Sequence, residues 1–187
     1  SRGLGDVYKR QFPDSPVEGW QLPFKCRLKF IQMFVFTYAF PVGNLTIGEK
    51  NGALRYITAG IVSGIQIRKE TELIRETKRQ LDEYFKGDRT TFDLPLDMEG
   101  TPFQVKVWHA LQAIPYGETR TYKEIAEVIG NPKAVRAVGM ANHVNPFIIV
   151  VPCHRVIGTN GKLTGYAAGL DKKLLLLELE KGVGQRK

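Results

Sequence analysis

The apolar run Phe147-Ile148-Ile149-Val150-Val151 stops at Pro152 and is followed directly by Cys153-His154-Arg155-Val156. Five consecutive apolar residues, four of them β-branched, are expected to form a short buried strand. Pro152 has no amide hydrogen for a sheet ladder, so the strand should end there and hold the next side chain in a defined place. That side chain is a thiol. A potential base, His154, and a fixed cation, Arg155, follow it, and both favour thiolate, the form of cysteine that attacks carbon. A lone buried cysteine is more often a small hydrophobe than a nucleophile, so the flanking segments carry the weight.

Upstream lies a helix-turn-helix pattern. Thr121-Tyr122-Lys123-Glu124 has the form of a capping box, with Ile125, Ala126, Val128 and Ile129 as the apolar face of the helix it opens. Gly130-Asn131-Pro132 ends that helix and turns the chain. A second helix, about Lys133 to Asn142, places Ala134, Val138 and Ala141 on one side at helical spacing. Its other side carries Lys133, Arg136 and Met140 beside the small Ala137 and Gly139. Small residues around one arginine let a helix backbone approach phosphates, while the missing long polar face argues against reading base sequence. An ordinary helical hairpin with a solvated basic edge shows the same pattern.

The first half reads as a sheet and a helix. Met33–Phe40 is the first clear strand, Pro41-Val42-Gly43-Asn44 turns the chain, and Leu45–Gly48 continues. Asn51-Gly52 is a hairpin signal before the strand Ala53–Thr58. A helix at about Thr71–Phe85 carries Leu73, Ile74, Leu81 and Phe85 as its stripe and is closed by Gly87. Gly87–Gly100 reads as a linker. Residues 1–32 mix glycine, proline and charge without periodicity, and are expected to be an unstructured leader foreign to the fold. Two domains are therefore expected, 33–99 and 100–187.

After Cys153, Asn160-Gly161 marks another hairpin, and Gly165-Tyr166-Ala167-Ala168-Gly169 is a loop of small residues around one aromatic. Asp171 is a good N-cap for a helix Lys172–Lys181, which Gly182 would end. Glu180 falls in its last turn, where a carboxylate opposes the helix dipole. It reads either as a surface residue or as a buried partner for His154. Charge is uneven: residues 101–187 carry twelve basic and six acidic side chains, +6 of the chain's +8. A basic half beside a near-neutral one is the footprint of a nucleic-acid binder. Cys26 and Cys153 lie far apart, no Cys/His cluster has zinc-ligand spacing, and no apolar stretch is long enough to span a bilayer.

Arg136-Ala137-Val138-Gly139, then Asn145-Pro146, then Pro152-Cys153-His154-Arg155-Val156 resembles the signature of the O6-alkylguanine-DNA alkyltransferases. The resemblance runs from about Thr101 to Gly182 and includes Trp108, Tyr122, Gly158, Gly165-Tyr166 and Glu180. It implies an α+β protein with an N-terminal ribonuclease-H-like α/β domain and a C-terminal helical, winged-helix-like DNA-binding domain. It implies direct, irreversible transfer of an alkyl group from guanine O6 in DNA to Cys153, one turnover per molecule, with no cofactor and no metal. His154, through a water, would take the thiol proton, with Glu180 orienting the imidazole. Tyr122 would press on the adjacent phosphate and protonate the departing base. Asn145 would fix the turn before the cysteine. Arg136 would fill the stack vacated by the extruded base, and Ala137, Gly139 and Met140 would lie along a minor groove. Val156, Tyr166 and Ala167 would line the pocket; family members often carry serine where this chain has Ala167.

The resemblance further implies a cytoplasmic monomer acting on duplex DNA that carries O6-alkylguanine, with O4-alkylthymine a second candidate lesion. Three other readings compete. A catalytically dead lesion sensor replaces the nucleophile, which this chain retains. A Cys-His hydrolase needs an oxyanion hole and gains nothing from Arg136. A transcription regulator needs a reading helix with long polar side chains.

Overall fold

The computed structural model describes residues 33–62, 66–163 and 165–184, with the side chains of 183 and 184 left aside. The leader, and Cys26 with it, lies outside the described residues. Strands β1 (Met33–Phe40), β2 (Gly43–Lys50) and β3 (Ala53–Ala59) form an antiparallel meander, and β4 (Ile67–Arg68) pairs parallel with β1, giving the order β3-β2-β1-β4. Asn51 and Gly52 both have positive φ, 55° and 80°, as a two-residue hairpin that follows the strand twist requires.

Helix α1 (Glu72–Lys86) starts where Thr71 caps it, the Ile74 amide donating to Thr71 Oγ1, and stops at Gly87 with φ 83°. Its stripe is wider than Leu73, Ile74, Leu81 and Phe85: Thr77, Gln80 and Tyr84 are buried too. The expected linker is fastened to the sheet. Leu54 donates to Pro95 O and accepts from Asp97 N, so this stretch lies along β3 as a short parallel bridge.

Helix α2 (Pro102–Gln112) is not among the expected elements, although Thr101-Pro102-Phe103-Gln104 spells a capping box with proline in the first turn. Its Trp108 Nε1 donates to Ala141 O at 2.9 Å and ties it to the helix-turn-helix. There, α3 (Tyr122–Val128) begins at the expected capping box: Glu124 N donates to Thr121 Oγ1, and Thr121 N donates to Glu124 Oε2. Val128 is 70 % exposed and does not belong to the apolar face. The helix ends at that residue with Ile129 as its C-cap, so Ile125, Ala126 and Ile129 suffice to seat it. Helix α4 (Val135–His143) buries Val138 and Ala141 and turns Arg136, Ala137 and Met140 to solvent.

Three further expectations are corrected. Asn160-Gly161 makes a turn closed by Gly158 N to Lys162 O, but it leads into no second strand among the described residues. Instead β6 (Val156–Ile157) pairs in parallel with β5 (Arg120–Thr121). Helix α5 spans Leu170–Gly184, so Asp171 sits in its first turn rather than capping it. Gly182 lies inside that helix, because a glycine weakens a helix interior by only about 1 kcal/mol and does not by itself end one.

Candidate active site

The apolar run before Cys153 is buried but is not a strand. Phe147 makes one bridge to Ile57 of β3, flanked by Ile57 N to Pro146 O at 2.7 Å and Ile148 N to Ile57 O at 3.1 Å. The chain then reverses. Val150 N donates to Ile148 O at 2.9 Å around Ile149, whose φ is 73°, a three-residue γ-turn of the strained hand. Cys153 N donates to Val151 O at 2.8 Å around Pro152 at φ −80° and ψ 63°, a second γ-turn of the relaxed hand. Cys153–Arg155 continue as one turn of 3-10 helix. Hydrophobicity here reports depth rather than extension. Pro146 and Pro152 remove two amide donors, so turns and a side chain satisfy the buried backbone instead. That side chain is Asn145: its Oδ1 accepts from Phe147 N at 3.0 Å and its Nδ2 donates to Val151 O at 2.8 Å.

Beside the cysteine, Glu180 of α5 gathers four donor residues from three parts of the chain. Its Oε1 accepts from His154 Nε2 at 2.8 Å, Tyr84 Oη at 2.7 Å and Arg155 Nη2 at 2.9 Å. Its Oε2 accepts from Arg155 Nε at 2.9 Å and Gly117 N at 3.0 Å. The surface reading of Glu180 is therefore excluded; it is 1 % exposed. Burial alone would raise its pKa, but the hydrogen bonds from His154 and Arg155 outweigh that and hold it at about 2. An ionised carboxylate only accepts, so His154 Nε2 must carry the hydrogen, which leaves Nδ1 with the lone pair in the neutral ring. Nδ1 is buried and has no hydrogen-bond partner among the described residues.

Arg155 was expected to favour the thiolate. It turns to Glu180 instead, with Nη1 on Ile114 O at 2.7 Å and its guanidinium over the Tyr116 ring. The cation that acts on the thiol is Lys173, fully buried in α5, whose Nζ donates to Val156 O at 2.6 Å. Its sequence signal was readable: Lys173, Leu176, Leu177 and Glu180 share one buried face at helical spacing, two of them charged.

Burial pushes the Cys153 thiol up to about 11, against opposing pulls from an Asn145 hydrogen bond and the Lys173 charge. Burial lowers His154 below its ordinary range, only partly offset by Glu180, so the ring is neutral at pH 7. Burial also lowers Lys173, to about 8, while the Cys153 charge raises it. A thiol that needs a base therefore lies next to a neutral imidazole and a lysine whose charge is sensitive to its surroundings.

The remaining expected residues fall on two surfaces. Tyr166 and Val156 are buried, and the Cys153 charge acts on the Tyr166 phenol, whose pKa burial raises first. Ala167 and Asn145 line one cavity of about 200 Å³ together with Thr58, Ala59, Ile148 and Ala168. Tyr122, at the first position of α3, directs its hydroxyl toward Gly165 O, 3.5 Å away, at the edge of the loop that carries Tyr166. A Cβ added at Gly139 would meet the Tyr122 ring at 4.0 Å, an ordinary van der Waals contact, so α4 and Tyr122 are neighbours at that point. Arg136, Ala137 and Met140 lie on the exposed side of α4, away from the buried array.

Fold and site together define an α+β protein with a buried Cys-His-Glu array set behind a helix-turn-helix. The 6-O-methylguanine DNA methyltransferase ribonuclease-like domain matches residues 33–98, and the DNA-binding domain of the same family matches residues 102–182. A methylated-DNA–protein-cysteine methyltransferase of Methanosarcina acetivorans is 51 % identical over 155 residues, covering 79 % of this chain and 98 % of that protein. The constitutive enzyme of that name from Bacillus subtilis is 59 % identical over 114 residues, 60 % of this chain and 69 % of its own. The crystal structure of Mycobacterium tuberculosis OGT in complex with DNA superposes with a TM-score of 0.75 at 46 % identity, covering 82 % of this chain and 94 % of that one. The chain belongs to the methylated-DNA–protein-cysteine methyltransferase family.

Proposed function

We propose that this protein repairs DNA by moving an alkyl group, in the simplest case methyl, from guanine O6 to the sulfur of Cys153, once per molecule. The observation that carries the assignment of roles is the buried His154–Glu180 hydrogen bond beside a free, buried thiol. His154 Nδ1 takes the thiol proton through a water, and Glu180 stabilises the imidazolium that forms. The thiolate attacks the alkyl carbon, the S–C bond forms as the C–O6 bond breaks, and the electron pair leaves on guanine. Tyr122 supplies a proton to a ring nitrogen of the departing base. Lys173 stabilises the thiolate while it lasts. The thioether holds no group that water displaces readily, so the spent protein stays spent.

The reacting carbon lies inside the duplex stack, and extruding the nucleotide exposes it at a cost of a few kcal/mol. Arg136, on the exposed face of α4, fills the gap; the small Ala137 and Gly139 let α4 enter the minor groove, with Met140 beside it. Tyr122 bears on the neighbouring phosphate. Tyr166 and Val156 enclose the base, and a backbone amide at Ala167 takes the role that a serine hydroxyl has elsewhere in the family. The protein acts as a monomer on duplex DNA, with O4-alkylthymine a second lesion of suitable geometry. Among the described residues no helix is long and apolar enough to cross a membrane.

The test is incubation with duplex DNA containing labelled O6-methylguanine, followed by intact mass and peptide mapping. One methyl on Cys153 per molecule is expected, and none in Cys153→Ala, which should still bind DNA. Label on another residue, or continued turnover, would overturn the reading.

A further inference from the structure

Tyr84 belongs to α1, in the half of the chain that carries neither the cysteine nor the helix-turn-helix, yet its hydroxyl ends on the active-site carboxylate. It is fully buried and donates to Glu180 Oε1 at 2.7 Å, across 96 positions of sequence. Its ring packs against Phe85, Phe92 and Tyr116, so a phenylalanine would serve the packing equally well. A hydroxyl buried in such surroundings is destabilising unless it is bonded, and its recorded partner is Glu180. The oxygen it meets is the one that His154 Nε2 approaches.

We infer that Tyr84 is a positioning residue of the active site: by occupying Glu180 Oε1 it moderates the pull of that carboxylate on His154 and so sets how basic the imidazole is. The inference rests on the proposed roles of His154 and Glu180. An oxygen has two lone pairs, and Oε1 is shared by His154, Tyr84 and Arg155, so each donor weakens the others. Among the described residues, the charged and titratable groups that act on this cluster come from several elements. Arg155 comes from the 3-10 turn, Tyr116 from the segment after α2, Lys173 from α5, and Cys153 adjoins His154. Burial and the Glu180 charge hold the Tyr84 hydroxyl far above its ordinary pKa, so it stays a donor at every working pH. The half of the molecule that carries neither Cys153 nor the helix-turn-helix thus has a direct hold on the proton acceptor.

Tyr84→Phe removes the oxygen and keeps the ring. With one competitor gone, Glu180 should pull harder on His154 and raise its titration midpoint. Two readouts follow the shift. Proton NMR reads the His154 ring, with exposed His109 and His143 as internal references. The pH profile of methyl transfer to Cys153 reads the same midpoint on its acid side. Both should move upward by about half a pH unit or more in Tyr84→Phe. In the Glu180→Gln background the substitution should leave the His154 midpoint where Glu180→Gln alone puts it. Phe92→Leu, which loosens the same packing without touching Glu180, should leave it at the wild-type value. An unmoved midpoint in Tyr84→Phe, or an equal shift in Phe92→Leu, would reduce Tyr84 to packing and overturn the inference. If the wild type transfers no methyl at all, the proposed function fails, while the NMR midpoint still reads the coupling on its own.

Discussion

Asn145 Nδ2 donates to the Val151 carbonyl at 2.8 Å, bridging the two ends of the loop that delivers Cys153. Its Oδ1 accepts from Phe147 N, so one side chain closes both limbs of a segment that meets the sheet through the Phe147–Ile57 bridge. Asn145→Ala leaves the buried Phe147 amide without its acceptor, at a cost of about 1–3 kcal/mol, and takes one of two donors from the Val151 carbonyl, which keeps the bond from Cys153 N. It also removes a hydrogen bond that favours the thiolate. Expected are a lower melting temperature and slower transfer at saturating DNA. Loss of stability with an unchanged transfer rate would confine Asn145 to a scaffolding role.

Local chemistry made the edges of this fold readable. Thr71 and Gly87 around α1, the Thr121–Glu124 box and the Asn51-Gly52 hairpin act over three or four residues, and each lies where its pattern puts it. The run Phe147–Val151 misled because burial and extension leave the same apolar signature, and the deciding partners, Asn145 and Ile57, act through tertiary contact. The site was legible where residues adjoin, at Cys153 and His154. It was not legible where a member arrives from afar, as Tyr84 does from α1; Lys173 carried a readable signal only in the buried face it shares with Leu176, Leu177 and Glu180. Arg155 shows the same limit, since its position beside the cysteine in sequence says nothing about which way its guanidinium turns.

Ile149, with φ 73°, occupies a sparsely populated backbone region that costs about 1–3 kcal/mol and that suits a β-branched side chain least. It is also 1 % exposed, so truncation loses burial worth several kcal/mol and every truncated variant should be less stable than wild type. The informative quantity is the order of two truncations. Glycine is ordinarily less stable than alanine by about 0.5–1 kcal/mol. Here Ile149→Gly should be more stable than Ile149→Ala, because only glycine accepts that φ without strain. Denaturant titration of the pair checks it, and the ordinary order would show that the turn relaxes to negative φ.

Arg136 is exposed on α4, remote from the thiol array, and makes no ion pair among the described residues. Arg136→Ala should therefore leave stability unchanged. It should slow repair of duplex DNA by about tenfold or more, and reaction with free O6-benzylguanine by less than about threefold, since only the duplex has a base to extrude. Equal losses on both substrates would place Arg136 in support of the thiol site. Duplex affinity should fall steeply with salt and vary little with sequence.

Acid stability follows from Glu180 and His154. Glu180 is held at about 2 against an ordinary 4.5, so it binds a proton more readily unfolded than folded. Its contribution is complete above about pH 4.5 and is lost as pH falls through about 2. His154, held neutral by burial below its ordinary 6.5, acts in the same direction, since unfolding lets it charge. Stability should decline steadily from pH 6.5 downward, and Glu180→Gln should flatten the part below 4.5. Glu76 is also held low, by Arg79, but that pair is solvent-exposed and salt screens it. A decline that disappears in high salt would assign it to the surface pair instead.

Methylation of Cys153 should destabilise the protein that carries it. Cys153 is 2 % exposed and follows a strained turn, with Tyr166 and Lys173 near enough for charge to act between them and the thiol. An added methyl in such packing costs about 1–3 kcal/mol. The thioether also loses the thiol's donor and most of its capacity to accept, weakening the Asn145 contact. For a chain of this size about 1 kcal/mol corresponds to about 2–4 °C, so a fall of several degrees is expected. The measurement compares calorimetric melting before and after reaction with methylated duplex. DNA is removed first, because a ligand that binds the folded state raises the apparent melting temperature. Cys153→Ala taken through the same steps should not change. An unchanged or higher melting temperature in the methylated protein would mean the pocket has room for the methyl, and the tight-packing account of the site would fall while the transfer chemistry stood.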